Sequence, residues 1–285
     1  MKNYTRETTC DILSHTLNYG SGIFEGIRFY ETKRGVAIFR LDDHLERFFY
    51  SAKTINLKIA QSKEELKKTI IQLVKKSELK EGYIRPIGFF GGESMDLNPK
   101  KCSSQIAISI TEWKYLSNKK IKAKISKYKR LSPEATNLHA KITGHYFNSS
   151  IPNIHAQKEG FDEAILMDEK GYVSEAASEN LFMVKNNRLF TPKKKYIFPG
   201  LTRATIIKIA KDNKIEVVEE NITKGRLLSA DEVFLTGTAA EITEIQQING
   251  KIFQVENPVT EFFKKTYKDL VHGKIKKYNN WLTYV

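Results

Sequence analysis

The sequence predicts an α/β chain of the α+β kind, with mixed sheets and flanking helices folded as two domains. Three observations predict it. Short strand patterns alternate with helical periodicity over the first part. The pattern lapses into a polar stretch around Ser117-Asn118. Asparagine-based hairpin turns then recur in the second part.

Taken in order, 26–30 and 36–39 read as strands around the turn Lys33-Arg34-Gly35. A helix opens at Leu41, where Leu41, Leu45, Phe48 and Ala52 mark one buried face and Asp42 and Asp43 sit in the first turn. Ser62-Lys63-Glu64-Glu65 is a capping-box start, continued by Leu66, Ile70, Leu73 and Val74. Strands at 83–89 and 106–111 follow. The second part begins with a strand at 123–126, then a long helix after Lys141 and a strand at 163–168. Asn186-Asn187 joins strands 181–184 and 188–191, and Asn249-Gly250 joins 245–248 and 252–255. The expected division is a small α/β domain over 1–116, a linker over 117–122 and a large domain over 123–285, with a cleft between the two.

Composition narrows the function classes. Charged residues make up 28% and hydrophobic ones 40% of 285 residues, as in a soluble globular protein. No apolar run approaches the roughly 18 residues that span a membrane, and the N-terminus lacks a signal peptide's apolar core. Cys10 and Cys102 are far apart and lack metal-ligand spacing, so two free thiols in a reducing cytoplasm and no metal site are expected. The net charge of +14 raises a polyanionic partner. The lysines, however, are spread along the chain and interleaved with glutamates, and neither zinc-finger spacing nor an aromatic RNA-binding signature occurs. A solvated lysine-rich surface is expected, not nucleic acid as a partner.

One lysine stands apart. Lys141 lies between Ala140 and Ile142 in Thr-Asn-Leu-His-Ala-Lys-Ile-Thr-Gly-His-Tyr-Phe-Asn (136–148), whereas others sit in polar runs such as Lys193-Lys194-Lys195. Alone it would read as a lysine whose stem packs and whose head reaches water. An apolar setting also disfavours the ammonium form, and a neutral amine is what condensation with an aldehyde cofactor requires. Pro199-Gly200-Leu201-Thr202 opens a helical pattern, whose free N–H groups suit a phosphate. Thr236-Gly237-Thr238 follows a strand and could form a second anion nest. Tyr83 and Arg85, two apart on a strand, share a face.

Several segments occur in a familiar order: Tyr-Gly-Ser-Gly-Ile-Phe-Glu-Gly-Ile-Arg (19–28), Tyr-Ile-Arg-Pro (83–86), Leu-Asn-Pro (97–99), the Lys141 segment, Ser-Glu-Ala-Ala-Ser-Glu-Asn-Leu-Phe (174–182), Phe-Pro-Gly-Leu-Thr-Arg (198–203) and Thr-Gly-Thr-Ala-Ala-Glu-Ile-Thr (236–243). From residue 12 to Trp281-Leu282 the chain resembles the branched-chain amino acid aminotransferases, which are fold-type IV pyridoxal-phosphate enzymes. The resemblance implies transamination between branched-chain L-amino acids (Leu, Ile, Val) and 2-oxoglutarate by a ping-pong route. It implies pyridoxal 5'-phosphate as cofactor, a large cofactor-binding domain and an active site between the domains. It makes Lys141 the catalytic and cofactor-holding lysine. Phosphate binding falls to Arg47, Leu201, Thr202 and Thr238. Glu175 faces the pyridine nitrogen with Glu179 in support, and Tyr146 bonds the ring oxygen.

For the substrate, the resemblance implies Tyr83 at the α-carboxylate, Arg85 at the side-chain carboxylate of glutamate, and backbone groups at Thr238 and Ala239. Phe24, Trp113 and Tyr115 line an apolar pocket. Tyr19 and Leu97 reach the neighbouring subunit's site, so a homodimer or higher homo-oligomer is implied. A D-amino acid aminotransferase or an aminodeoxychorismate lyase would share Lys141, Glu175 and the phosphate site. The Phe-Glu-Gly-Ile-Arg and Tyr-Ile-Arg-Pro segments favour the branched-chain enzyme. From another class, a basic nucleic-acid-binding protein on an inactive scaffold is opposed by the intact cofactor motifs. Two departures stand out: the chain starts late relative to the pattern, and Asp96 occupies a position usually held by glycine.

Overall fold

The structure, a computed structural model, describes residues 10–113, 120–253 and 256–285. Two compact units emerge. The first comprises Met1–Lys114, Ala140–His145 and Asp269–Val285, and the second Tyr115–His139 and Tyr146–Lys268. Two stretches assigned by the sequence to the large domain therefore pack with the first unit, and one of them carries Lys141.

The first unit holds α1 (His15–Tyr19), β1 (Ile23–Phe24), β2 (Ile27–Thr32), β3 (Gly35–Phe39), α2 (Leu41–Thr54), α3 (Lys63–Ser77), β4 (Gly82–Phe90) and β5 (Ser104–Glu112). Its sheet is antiparallel, with β4 pairing β1, β2 and β5, and β2 pairing β3. One core is formed by Leu41, Leu45, Phe48 and Ala52 of α2, Leu66, Ile70 and Val74 of α3, and Ile27, Phe29, Ile38 and Ile84 of the sheet. The helical spacing of those residues is the reason both helices lie on one face of the sheet. Ser62 and Glu65 form the expected capping box.

The second unit holds β6 (Ile121–Lys129), α4 (Phe147–Lys158), β7 (Glu163–Met167), β8 (Val173–Ala176), β9 (Asn180–Lys185), β10 (Arg188–Pro192), α5 (Leu201–Asp212), β11 (Val217–Glu220), α6 (Lys224–Leu228), β12 (Glu232–Gly237), β13 (Glu241–Ile248), β14 (Lys251–Ile252) and the greater part of α7 (Pro258–Val271). Its strands run β11-β10-β9-β12-β13-β6-β7-β8, with β14 beside β13. β10/β11, β13/β6 and β6/β7 are parallel and the other pairs antiparallel, so the sheet is mixed. The final strand, β15 (Leu282–Tyr284), returns to pair antiparallel with β3 of the first unit.

Both asparagine turns form hairpins. Asn186 and Asn187 have φ 51° and 58°, and Asn249 and Gly250 have φ 49° and 88°. Those left-handed values match the twist of the flanking strands. β14 is shorter than the 252–255 strand expected, and residues 254–255 lie outside the described residues. The helix expected after Lys141 is α4, which starts at Phe147 after a 3-10 turn over Thr143–Tyr146 and leaves Lys141 outside it. The reason is tertiary. Ile142 makes an antiparallel bridge to Ile23, and the Thr143 and Gly144 N–H groups donate to the Gly22 and Gly20 carbonyls. A strand-like tether of this kind withholds the backbone from the helix. Among the described residues no helix is long and apolar enough to cross a membrane.

Candidate active site

Within the first unit, Lys141 is fixed through its backbone. Its N–H donates to the Ser51 hydroxyl at 2.9 Å, and its carbonyl accepts from the Phe24 N–H at 3.1 Å. Its Nζ lies 4.7 Å from the centroid of the Phe24 ring. The Arg85 guanidinium carbon lies 4.7 Å from the same centroid. Arg85 Nη2 donates to the Tyr83 hydroxyl at 3.0 Å, while Arg85 Nε is buried with no hydrogen-bond partner among the described residues. Tyr83 in turn lies against Trp113, with centroids 5.1 Å apart. A side chain at Gly26 would overlap the Tyr83 hydroxyl, which explains the glycine of Phe-Glu-Gly. Lys141, Phe24, Tyr83, Arg85 and Trp113 thus form one cluster. Tyr115 lies outside the described residues.

Arg47 is engaged in the same unit. Its Nε and Nη2 donate to the two oxygens of Glu25 at 2.6 and 2.8 Å, and His44 Nδ1 meets Glu25 at 2.8 Å. Glu25 is fully buried. Burial pushes its carboxyl up, but the charge and hydrogen bonds of Arg47, then of His44, hold it well below the usual carboxylate range. Burial lowers His44, against the pull of Glu25. Tyr19 and Leu97 are exposed.

Within the second unit, Glu175 is buried in a shell of donors. Arg130 Nε donates to it at 2.7 Å, Asn180 Nδ2 at 3.0 Å and the Phe198 N–H at 3.0 and 3.2 Å. Asn180 also accepts from the Gly200 N–H and donates to the Phe198 carbonyl, so it ties the strand to the loop before α5. Any side chain at Gly200 would overlap Asn180. Gly200 caps α5 with no side-chain bond, Leu201 and Thr202 form its first turn, and Thr202 is buried. Thr236 Oγ1 is buried with no hydrogen-bond partner among the described residues. Thr238 and Ala239 form the turn that follows Gly237. Tyr146 lies just before α4, at the end of the 3-10 turn.

Glu179 differs from Glu175. It accepts no such shell among the described residues, and burial, reinforced by the negative charge of Glu163, pushes its carboxyl up to about 8. Glu163 is also raised, by burial, although the Ala164 and Ala177 N–H groups bond it. A neutral acid cannot hold a positive charge on a ring nitrogen, whereas an ion-paired carboxylate can. The contrast supports the reading that sets Glu175 before Glu179.

The residue set of the second unit fits an anionic, nitrogen-heterocyclic group: a fixed carboxylate, the first turn of α5 and the buried Thr236 hydroxyl, which has no hydrogen-bond partner among the described residues. The amino-transferase class IV family model matches residues 22–248. The chain belongs to amino-transferase class IV. It is 37% identical to the branched-chain-amino-acid aminotransferase of Pseudomonas aeruginosa, over 98% of this chain and 94% of that protein. It is also 37% identical to that of Escherichia coli K12, over 96% and 92%. Among solved structures, the Thermoproteus uzoniensis branched-chain aminotransferase with norvaline gives TM-score 0.93 and 38% identity, over 97% of this chain and 94% of that one. The Escherichia coli branched-chain amino acid aminotransferase gives TM-score 0.93 and 36% identity over 96% and 93%. A further similar structure, from Thermobaculum terrenum, is a branched-chain amino acid aminotransferase in its PLP-form, with TM-score 0.90 and 27% identity over 96% and 92%. The class IV fold agrees with the mixed sheets and flanking helices expected from the sequence.

Five residues that hold the candidate site residues or their neighbours were not singled out in the sequence: Glu25, His44, Ser51, Arg130 and Asn180. Glu25 and Asn180 lay inside recognised segments and could have been found there. Nothing in the local sequence marks Ser51 or Arg130, because their partners lie 90 and 45 positions away.

Proposed function

We propose that this chain moves the amino group between the branched-chain L-amino acids Leu, Ile and Val and 2-oxoglutarate, with pyridoxal 5'-phosphate as cofactor. The observation that carries the reading is the ring of Phe24, with Lys141 Nζ and the Arg85 guanidinium carbon each 4.7 Å from its centroid. An apolar ring suits a branched side chain, and a guanidinium suits the carboxylate of glutamate. The names of the relatives favour this over a D-amino acid aminotransferase or an aminodeoxychorismate lyase.

When bound, the cofactor supplies an electron sink for the substrate carbon. The remaining work belongs to the chain. Lys141 would hold the cofactor through its amine and would carry the proton at the substrate carbon. Glu175, fixed by Arg130 and Asn180, keeps a proton on the pyridine nitrogen, and Tyr146 bonds the ring oxygen. Arg47, Leu201, Thr202 and Thr238 hold the phosphate. Tyr83 and the Thr238-Ala239 backbone hold the α-carboxylate, while Phe24, Trp113 and Tyr115 exclude water around the side chain. Tyr19 and Leu97 serve the site of a second copy in a homodimer, and the enzyme works in the cytoplasm.

The test is spectroscopic and chemical. The purified protein should absorb in the visible, and borohydride reduction followed by peptide mapping should label Lys141. Lys141→Ala should lower turnover of L-leucine with 2-oxoglutarate by at least ~10²-fold. A stable label on another lysine would sink the assignment, and turnover with D-amino donors alone would sink the substrate reading.

A further inference from the structure

Three consecutive backbone carbonyls, those of Met95, Asp96 and Leu97, are held by two side chains of α1. The Tyr19 hydroxyl donates to the Met95 carbonyl at 2.9 Å. His15 Nε2 donates to the carbonyls of Asp96 at 3.1 Å and Leu97 at 3.2 Å. Carbonyls only accept, so Nε2 carries a proton. Nδ1 lies 2.7 Å from the Ser21 hydroxyl, which orients the ring. His15 and Tyr19 sit one helical turn apart with centroids 4.6 Å apart, and His15 is almost fully buried.

The foot of this arrangement is equally fixed. The His15 N–H donates to the Gly91 carbonyl, the Ser14 hydroxyl to the Phe90 carbonyl, and the Phe90 N–H to the Thr16 hydroxyl. On its other side, α1 runs into Gly20 and Gly22, whose carbonyls take the Gly144 and Thr143 N–H groups. A β-carbon at Gly20 would stand 2.7 Å from Gly144 Cα. Loop 91–98, α1 and the Lys141 segment are therefore joined in series through backbone contacts. The outer edge of the series is apolar and exposed: Leu17 is 66% exposed, Met95 52% and Leu97 79%.

We propose that His15 is a positioning residue, which clamps loop 91–98 onto α1 so that Tyr19 and Leu97 present one preformed apolar edge to the substrate. The proposal rests on the functional reading above, in which that edge serves a second copy's site. His15 touches no reacting atom in this scheme. Its effect passes through the placement of Leu97 and Tyr19, so it acts on substrate binding more than on turnover.

The experiment uses the intact holoenzyme and its His15→Ala, His15→Gln and Ser21→Ala variants. Backbone hydrogen exchange over 94–98 is read without substrate, and KM and kcat for L-leucine are measured separately. His15→Ala should raise exchange and KM each by about five- to tenfold, the scale of one or two lost hydrogen bonds, with kcat changed less than about twofold. The visible cofactor band should not change. His15→Gln, which keeps an N–H donor, should recover part of both effects, and Ser21→Ala should give a smaller shift of the same sign. Unchanged exchange together with unchanged KM in His15→Ala overturns the proposal. So does a fall in kcat with loss of the cofactor band, which would make His15 a prop for the Lys141 segment instead. If His15→Ala does not fold, the Ser21→Ala and His15→Gln shifts decide. A wild type inactive towards leucine would overturn the functional reading, whereas the exchange data would still decide the clamp.

Discussion

Phe24 makes a single apolar ring the neighbour of both Lys141 and Arg85, and the two side chains have separable jobs. Burying a glutamate side chain in an apolar pocket is costly unless its carboxylate is paired, and Arg85 offers that pairing. Its buried Nε, with no hydrogen-bond partner among the described residues, suits an incoming acceptor. Arg85→Met should raise KM for 2-oxoglutarate by about ten- to a hundredfold, the scale of a charge-assisted hydrogen bond, with leucine less affected. Paired single-turnover kinetics with each donor measure this, and equal losses would assign Arg85 to the shared α-carboxylate. The two glutamates separate in the same way. Glu175→Gln should slow the leucine half-reaction far more than Glu179→Gln. Glu179 also leaves a pH signature. Its carboxyl is raised from 4.5 to about 8, so between those values the folded protein keeps a proton that the unfolded chain has lost. Stability from this group is full below 4.5 and is lost as pH rises towards about 8. Glu179→Gln should flatten the fall in melting temperature across that window, and an unchanged pH profile would count against the raised carboxyl.

At the scale of elements, the segment bearing Lys141 is placed by backbone rather than by helix. Gly20 has φ 66°, and a β-carbon there would press on Gly144 Cα at 2.7 Å. An L side chain in that conformation costs roughly 1–2 kcal/mol before any clash is counted. Gly20→Ala should therefore lower the melting temperature and the turnover together, since α1 and the Lys141 segment would be pushed apart. Gly225→Ala is the control. No atom lies within 4 Å of a β-carbon there, and the residue is inside α6, so it should be neutral or stabilising by up to about 1 kcal/mol. Thermal unfolding and leucine turnover of both variants make the comparison, and matching losses would remove the contact from the explanation. The capping box of α3 was legible in sequence because it is local. The Gly20–Gly144 approach was not, because its two glycines lie far apart along the chain.

For the molecule as a whole, Glu25, Arg47 and His44 form a buried charged group that ties α2 to the segment joining β1 and β2. Removing one partner of a buried pair strands the other charge, at a cost of about 3–5 kcal/mol. Arg47→Met should therefore destabilise the chain as well as weaken cofactor retention, and denaturant unfolding with and without added cofactor separates the two effects. Both Glu25 and His44 are lowered from their ordinary values, so the unfolded chain takes protons at pH values where the folded one does not. Their stabilisation is present above 6.5 and is lost as pH falls, first through His44 and at far lower pH through Glu25. A His44→Gln variant whose melting temperature changed on acidification from 6.5 just as the parent's does would contradict this.

The sequence by itself determined most of the elements, and through its resemblance to a family it proposed a cast for the site. Strand and helix periodicity, the Ser62 cap, the asparagine hairpins and the ordered motifs are local patterns, and local patterns depend on neighbours only a few residues apart. Lys141 and the start of α5 stood out for the same reason, whereas Glu175 and Arg85 were singled out by the resemblance alone. Only the tertiary structure decided that 140–145 and 269–285 join the first unit, that Lys141 lies in a bridged strand-like segment, and that Arg47 is held by Glu25. It also supplied Ser51 and Arg130. Each of these is a pairing across long stretches of chain, fixed by backbone donors and buried charges finding their partners during folding, and no local periodicity encodes such a pairing.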